Sequence, residues 1–327
     1  MTADSTGQPA VAQRPTGDRT TDATAHAAGA PARAGVAYGI AAYAWWGLVP
    51  VYFKAVAHVP ALEVLAHRVI WSVVLLAALI VLKSRWREAA SAMRRRRTAV
   101  TLLVTTVLIA CNWLIFIYAV ATDRLLEASL GYFINPLVNV LLGFVFLGER
   151  LRRWQTISVA LAAVGVLYLT LGYGRFPWIA LALAASFGLY GLLRKTAPVD
   201  ALIGLTVETT LLLPLALAYV LIAGATGAGK FAAGSWSDSI LLVSAGIVTA
   251  VPLLWFTNAA RRLRLATLGF LQYLAPTGHF LLAVAAYGET FTTAHLLAFG
   301  CIWTALAIYS IDTVRAPRAA APVAKDY

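Results

Sequence analysis

The sequence predicts an all-α integral membrane protein of ten transmembrane helices, built as two inverted-topology five-helix repeats. Three observations carry this reading: apolar runs long enough to cross a bilayer recur along the chain, charge is confined almost entirely to the joints between them, and the two halves resemble each other. Of 327 residues, 61% are hydrophobic and 12% charged, with a mean hydropathy of +0.77, beyond the roughly 45–50% apolar content of soluble domains. About twenty helical residues span the hydrocarbon core.

The first apolar run, 36–56, follows a segment, 1–34, that is rich in Ala, Thr, Pro and Gly and lacks the apolar stretch of a secretory signal. That segment reads as a disordered tail. The second run, 62–82, opens after Pro60 and stops at a basic loop, 83–98, and the third, 99–121, stops at Asp123-Arg124. The fourth, 125–147, ends at Gly148-Glu149, and the fifth, 155–171, lies between Arg153 and Gly172. The sixth run, 176–193, begins at Phe176-Pro177, and the seventh, 199–223, follows Pro198 and ends in a Gly-rich stretch; 239–259 and 265–287 flank Arg261, Arg262 and Arg264, and 294–312 precedes a polar tail, 313–327. Pro136, Pro252 and Pro276 fall inside runs, where each removes an intrahelical hydrogen bond.

The net charge of +12 is a topology signal rather than a nucleic-acid footprint. Of 26 Lys and Arg residues, 21 fall in the tails and alternate loops, three (Arg124, Arg175, Lys230) in the other loops, and two (Lys54, Arg68) within runs. The positive-inside rule then puts both termini in the cytoplasm of a cell-membrane protein.

The halves match. "ASLGYFINPLVNVLLGFVFLGE" (128–149) resembles "ATLGFLQYLAPTGHFLLAVAAYGE" (266–289), with Pro136 to Pro276 and Glu149 to Glu289 each 140 residues apart. Repeats over 35–173 and 174–312 hold five helices each, so the second copy enters the membrane upside down, a design found in transporters with a midplane site. The same offset carries Arg68 onto Glu208, the two charges deepest in the runs. Intramembrane charges are costly and face a bundle interior or wet cavity, so the pair brackets a candidate substrate site.

Around it the sequence offers His67 beside Arg68, Trp45 and Trp46 mid-way along the first run, Asn112 and Tyr118 on the third, Tyr132, Asn135 and Asn139 on the fourth, and Gln272 and Tyr273 on the ninth. These line a cavity or act as interhelical glue; buried amides need partners either way. Arg68 is either an anion-binding group or half of a structural pair. If transport is proton-driven, Glu208 is the first coupling candidate and His67 the second. Glu63 and His67, four apart, lack a third ligand for a metal. "GATGAGKF" (224–231) ends in Phe231 where a phosphate-binding loop needs Ser or Thr for Mg²⁺. No cofactor motif is present. The expected partners are a small-molecule substrate, a proton if transport is proton-driven, and the bilayer.

Three long strings, "AYAWWGLVPVYFKAVAHVPALEVLAHRVIWS", "NWLIFIYAVATDRLLEASLGYFINPLVNVLLGFVFLGERL" and "LATLGFLQYLAPTGHFLLAVAAYGE", strongly resemble the RarD proteins, a branch of the EamA family within the drug/metabolite transporter superfamily. The resemblance spans about residues 35–312. It implies a ten-helix bundle with a central cavity and export or exchange of small metabolites; Arg68 for an anion and Glu208 for a cation make a small polar or zwitterionic metabolite the expected cargo. Gly278-His279 departs from the family's more apolar pattern. A membrane-embedded enzyme is the rival reading, and it would need a clustered nucleophile and base; a non-transporting scaffold is the other, and it would not need the mirrored charges.

The charge split makes the topology testable. Cysteines at positions 96, 152 and 262 are expected to resist an impermeant thiol reagent on intact cells, while those at 175 and 230 react. Labelling at 96 or 262 before permeabilisation would reverse the orientation.

Overall fold

The computed structural model describes the backbone of residues 19–122, 124–172, 176–231, 235–285 and 293–315. Its described residues form twelve α-helices. They are α1 (Arg19–Ala55), α2 (Ala61–Leu82), α3 (Trp86–Arg94), α4 (Arg96–Ala121), α5 (Leu125–Leu147), α6 (Arg153–Gly172), α7 (Trp178–Thr196), α8 (Ala201–Ala225), α9 (Trp236–Arg262), α10 (Leu265–Gln272), α11 (Leu274–Ala285) and α12 (Thr293–Arg315). By length and composition, α1, α2, α4, α5, α6, α8, α9 and α12 can each cross a bilayer.

Three differences from the sequence reading have local causes. Helical backbone starts at Arg19, ahead of the apolar run, through an Ala-rich stretch of high helix propensity. The basic loop 83–98 contains α3, whose start is braced by Arg85, which bonds Glu88 and also pairs with Asp200. The bond from Arg85 keeps the exposed Glu88 carboxyl below its ordinary range. The expected run 265–287 divides at Tyr273 into α10 and α11, because Pro276 has no N–H to offer the Gln272 carbonyl one turn back. Residues 286–292, including Glu289 of the repeat match, lie outside the described residues, as do Arg175, residues 1–18 and those beyond Arg315.

The helices pack as a bundle in which α2 lies against both α8 and α9, α1 against α9 and α11, α5 against α7 and α10, α4 against α7, and α6 against α12. Tyr43, Tyr190 and Phe256 are almost wholly buried where α1, α7 and α9 meet, together with Trp46 and Phe187. Leu48, Val81, Phe146, Leu171, Leu215 and Leu221 are exposed on the outer surface, a belt suited to acyl chains rather than water.

Lipid tails give helices no hydrophobic reason to associate, so close packing at small residues supplies the attraction. Gly246 on α9 lies directly on the Trp71 backbone of α2, with no room for a Cβ, and the Ser72 hydroxyl donates to the Gly246 carbonyl at 3.4 Å. Gly246→Leu should force α2 from α9 at an overpacking cost of about 1–3 kcal/mol. A melting temperature in detergent lower by several degrees is the expected reading, and an unchanged one would contradict the contact.

Candidate functional site

Arg68 sits where α2 faces α1, α4 and α9. Its Nε donates to Thr249 Oγ1 on α9 at 2.9 Å, and the guanidinium carbon stands 5.0 Å from the Trp113 ring centre and 5.6 Å from that of Phe53. One nitrogen is thus pinned and the head is set against two rings, contacts that are themselves favourable for a cation. The two Nη nitrogens bond to no described residue, and the side chain is partly buried. Among the described residues no carboxylate comes within ion-pair distance of Arg68. The Tyr52 and Tyr132 side chains are close enough to feel its charge.

A chain of rings leads away from it. Phe53 meets Phe116 at 6.5 Å between centres, Phe116 meets Tyr132 at 6.4 Å, and Tyr132 meets His279 edge-on at 6.2 Å. His279 Nε2 lies 2.9 Å from the Trp46 carbonyl, which ties α11 to α1. A guanidinium presents a planar fork of donors whose geometry matches a carboxylate or phosphate oxygen pair.

Glu208 is built into a different place. Its Oε1 accepts the Thr105 hydroxyl at 2.6 Å, its Oε2 the Tyr190 hydroxyl at 3.2 Å, and Arg194 Nε stands 3.6 Å from Oε1. Neither partner of this ion pair has more than 1% of its side chain exposed. Arg194 Nη2 also donates to the carbonyls of Asp200 and Ala201 at 3.3 Å, and Gly204, one turn before Glu208, faces the guanidinium with no space for a Cβ. The sequence counts Arg194 and Lys195 as loop cations. In the structure both extend α7, and Lys195 bonds the Ala260 carbonyl at 3.0 Å and that of Leu263. Of the two charges expected to bracket a site, Glu208 is thus engaged by neighbouring side chains, whereas Arg68 has no carboxylate partner among the described residues. A desolvated carboxylate needs a partner desolvated with it, and Arg194 is that partner.

The other candidates divide between these regions. Tyr132 joins the Arg68 cluster and Trp46 its far end, whereas Trp45 packs edge-on against Trp255 at 5.9 Å. The amides are glue: Asn112 bonds the Leu183 carbonyl and Ser186 hydroxyl at 3.1 and 2.9 Å, Asn135 bonds the Ala184 carbonyl at 2.6 Å, and Asn139 bonds Asn135 and Gln272 at 3.0 and 3.2 Å. Tyr273 is wholly buried, its hydroxyl 3.5 Å from the Phe133 carbonyl, and Tyr118 lies exposed beside Trp178 at 5.9 Å.

His67 accepts from Trp71 Nε1 at 3.2 Å and lies under the Phe231 ring at 4.5 Å, its Nε2 buried without a partner. Glu63 Oε1 accepts the backbone N–H groups of Lys230 and Phe231 at 2.7 and 2.9 Å. The Gly-rich loop does cradle an anion, and the anion is the chain's own. Phe53, Phe116, Thr249 and Arg194 were missed by sequence reasoning; only the Gly204–Glu208 spacing, a gap one turn from a charge, hinted at a large partner.

Eight described helices, long and apolar enough to cross a bilayer, with charged side chains buried between them, define a multi-pass membrane protein. The EamA-like transporter family matches residues 33–171. An uncharacterized transporter of Vibrio cholerae is 51% identical over 289 residues, covering 88% of this chain and 96% of that protein. Protein RarD of Escherichia coli K12 is 48% identical over 286 residues, 88% and 97% of the two chains, and the uncharacterized transporter YojE of Bacillus subtilis is 42% identical, covering 89% and 98%. The chain belongs to the EamA-like transporter family, and its relatives at this level include the RarD proteins. A solved structure titled "Crystal structure of protein" shares the fold, with a TM-score of 0.65 at 20% identity over 86% of this chain and 99% of that one.

The buried pair predicts a stability pattern. Arg194→Met strands Glu208 and should destabilise by roughly 3–5 kcal/mol, while adding Glu208→Leu should restore most of the loss. Early melting of the single variant with recovery in the double is expected. A single variant that melts with the wild type would remove the pair from the account.

Proposed function

We propose that the protein is a secondary transporter, exporting or exchanging a small polar metabolite by alternating access, with an anionic group of the substrate held by Arg68. The observation that carries this reading is the guanidinium fork: pinned at Nε, set against Phe53 and Trp113, and with neither Nη nitrogen bonded to a described residue. An arginine left so in an apolar bundle costs roughly 2.5–3.5 kcal/mol on insertion scales. Water in the cavity offsets part of that cost, and a bound carboxylate offsets more.

The bundle is read as ten spans in two inverted repeats, 35–173 and 174–312, with α7 and the α10–α11 pair as the remaining two crossings. Several contacts support it. Exchange of the halves turns the packing of α1 on α9 into that of α7 on α4, and that of α1 on α11 into that of α7 on α5. At the level of helices it also turns the α2–α9 bond of Arg68 to Thr249 into the α8–α4 bond of Glu208 to Thr105, with the two threonines one turn out of register, and the offset of 140 carries Lys54 onto Arg194. One copy of the charged position is then closed by an ion pair and the other is open to a ligand. Breaking and remaking the closed copy would accompany the switch between states, and a proton on Glu208 would release Arg194, so Glu208 precedes His67 as the coupling group. The membrane is the cell membrane, with both termini cytoplasmic. An enzyme would need a nucleophile beside a base, and the groups facing Arg68 are rings and a threonine.

Proteoliposome uptake against a panel of labelled metabolites tests the reading. Arg68→Lys keeps the charge but loses the fork and should weaken transport at least tenfold; Arg68→Ala should nearly abolish it, with both proteins monodisperse in mild detergent. Transport by Arg68→Ala at the wild-type rate would end the proposal, and so would loss explained by aggregation and rescued by a second neutral change.

A further inference from the structure

We infer that the group Arg68 receives belongs to an organic carboxylate with a flat apolar body, and that the site has no place for an ammonium group. This rests on the transporter reading above and specifies its cargo. A zwitterion held at its carboxylate by a cation is bound most tightly where an acidic group receives its ammonium against the repulsion of that cation, and seven acidic residues that could do so are committed elsewhere. Glu208 is closed by Arg194, Thr105 and Tyr190. Glu127 pairs with Arg124 and accepts the Ile179 N–H, and Glu149 accepts the N–H groups of Leu265 and Ala266 at the start of α10. Glu63 holds the 230–231 amides; it is five residues from Arg68, ~140° around α2, and its charge reaches Tyr219 on α8. Asp200, Asp238 and Asp312 pair with Arg85, His58 and Arg152 at helix ends.

An ammonium brought in beside Arg68 would therefore meet a like charge and, among the described residues, no carboxylate, in a medium where such repulsion is poorly screened. The apolar part of the ligand meets the opposite situation. Phe53, Trp113, Phe116 and Tyr132 present ring faces and edges, which favour offset or edge-on contact with a planar group. The Tyr132 hydroxyl bonds to no described residue and gives one further polar contact at the far side of the wall. Charge balance thus asks for one anion, and shape for a flat body attached to it.

Four probes that share one skeleton separate the classes: 3-phenylpropionate (anion), L-phenylalanine (anion and ammonium), phenethylamine (ammonium) and 3-phenylpropanamide (neutral). Binding is measured by calorimetry on the full-length protein in nanodiscs, with the Arg68→Lys variant as control and its melting temperature recorded. We expect 3-phenylpropionate to bind at least tenfold tighter than each of the other three and to lose at least tenfold in Arg68→Lys. L-phenylalanine binding as tightly as 3-phenylpropionate, with the Arg68→Lys loss intact, overturns the carboxylate-only inference and leaves Arg68 as anchor. Binding unaffected by Arg68→Lys overturns both. No binding by 3-phenylpropionate overturns the inference alone, since uptake of another metabolite would still answer to Arg68→Ala.

Discussion

In a medium with little water, a charged side chain has to be matched, and the bundle matches its two deepest charges in opposite ways. Glu208 is closed on all sides by Arg194, Thr105 and Tyr190. Arg68 is held by one bond to Thr249 and by the faces of two rings, and its Nη nitrogens bond to no described residue. The rest of the interior follows from this asymmetry. The closed pair ties α7 to α8 at one end, and the open arginine leaves a polar site between α1, α2, α4 and α9.

What keeps that site in place is a scaffold of modest contacts. Amide bonds of Asn112, Asn135, Asn139 and Gln272 run from α4 to α7, from α5 to α7 and from α5 to α10, each worth about 0.6 kcal/mol on average in a membrane bundle. They fix the angle of helices that lipid alone would not hold together. The aromatic group of Tyr43, Trp46, Phe187, Tyr190 and Phe256 fills the region where α1, α7 and α9 converge. The break at Tyr273 lets α10 lie along α5 while α11 turns to α1, and it carries His279 to the Trp46 carbonyl. The proline that interrupts the helix therefore also helps to position one edge of the site.

The same comparison clarifies the Gly-rich stretch 224–231. Its composition suits close approach to an anion, and the structure supplies one in Glu63, whose first-turn position on α2 presents it to the Lys230 and Phe231 amides. His67, one turn further on, is covered by the Phe231 ring as a result. Two residues that sequence spacing grouped with Arg68 thus belong to the packing of a loop over the start of α2.

The sequence by itself, through its composition, places the long apolar helices, though not α3 or the break at Tyr273, since every apolar run must satisfy its backbone within one helix and the lipid sets its length; the ends of α2, α5 and α8 fall within two residues of the runs read from composition. It also determined that Arg68 and Glu208 are costly and that Pro136, Pro252 and Pro276 interrupt hydrogen bonding. Tertiary structure alone decided which charge is paired. Arg194 is adjacent to Lys195 at a helix end and looks like any basic flank until α8 is brought beside α7, with Gly204 leaving room for the guanidinium. Thr249 and Phe53 lie 181 and 15 residues from Arg68 and carry no signature of their own. Their role comes from helix rotation and crossing, which depend on side-chain packing between segments far apart in the chain, and a periodicity read along one helix does not contain that information.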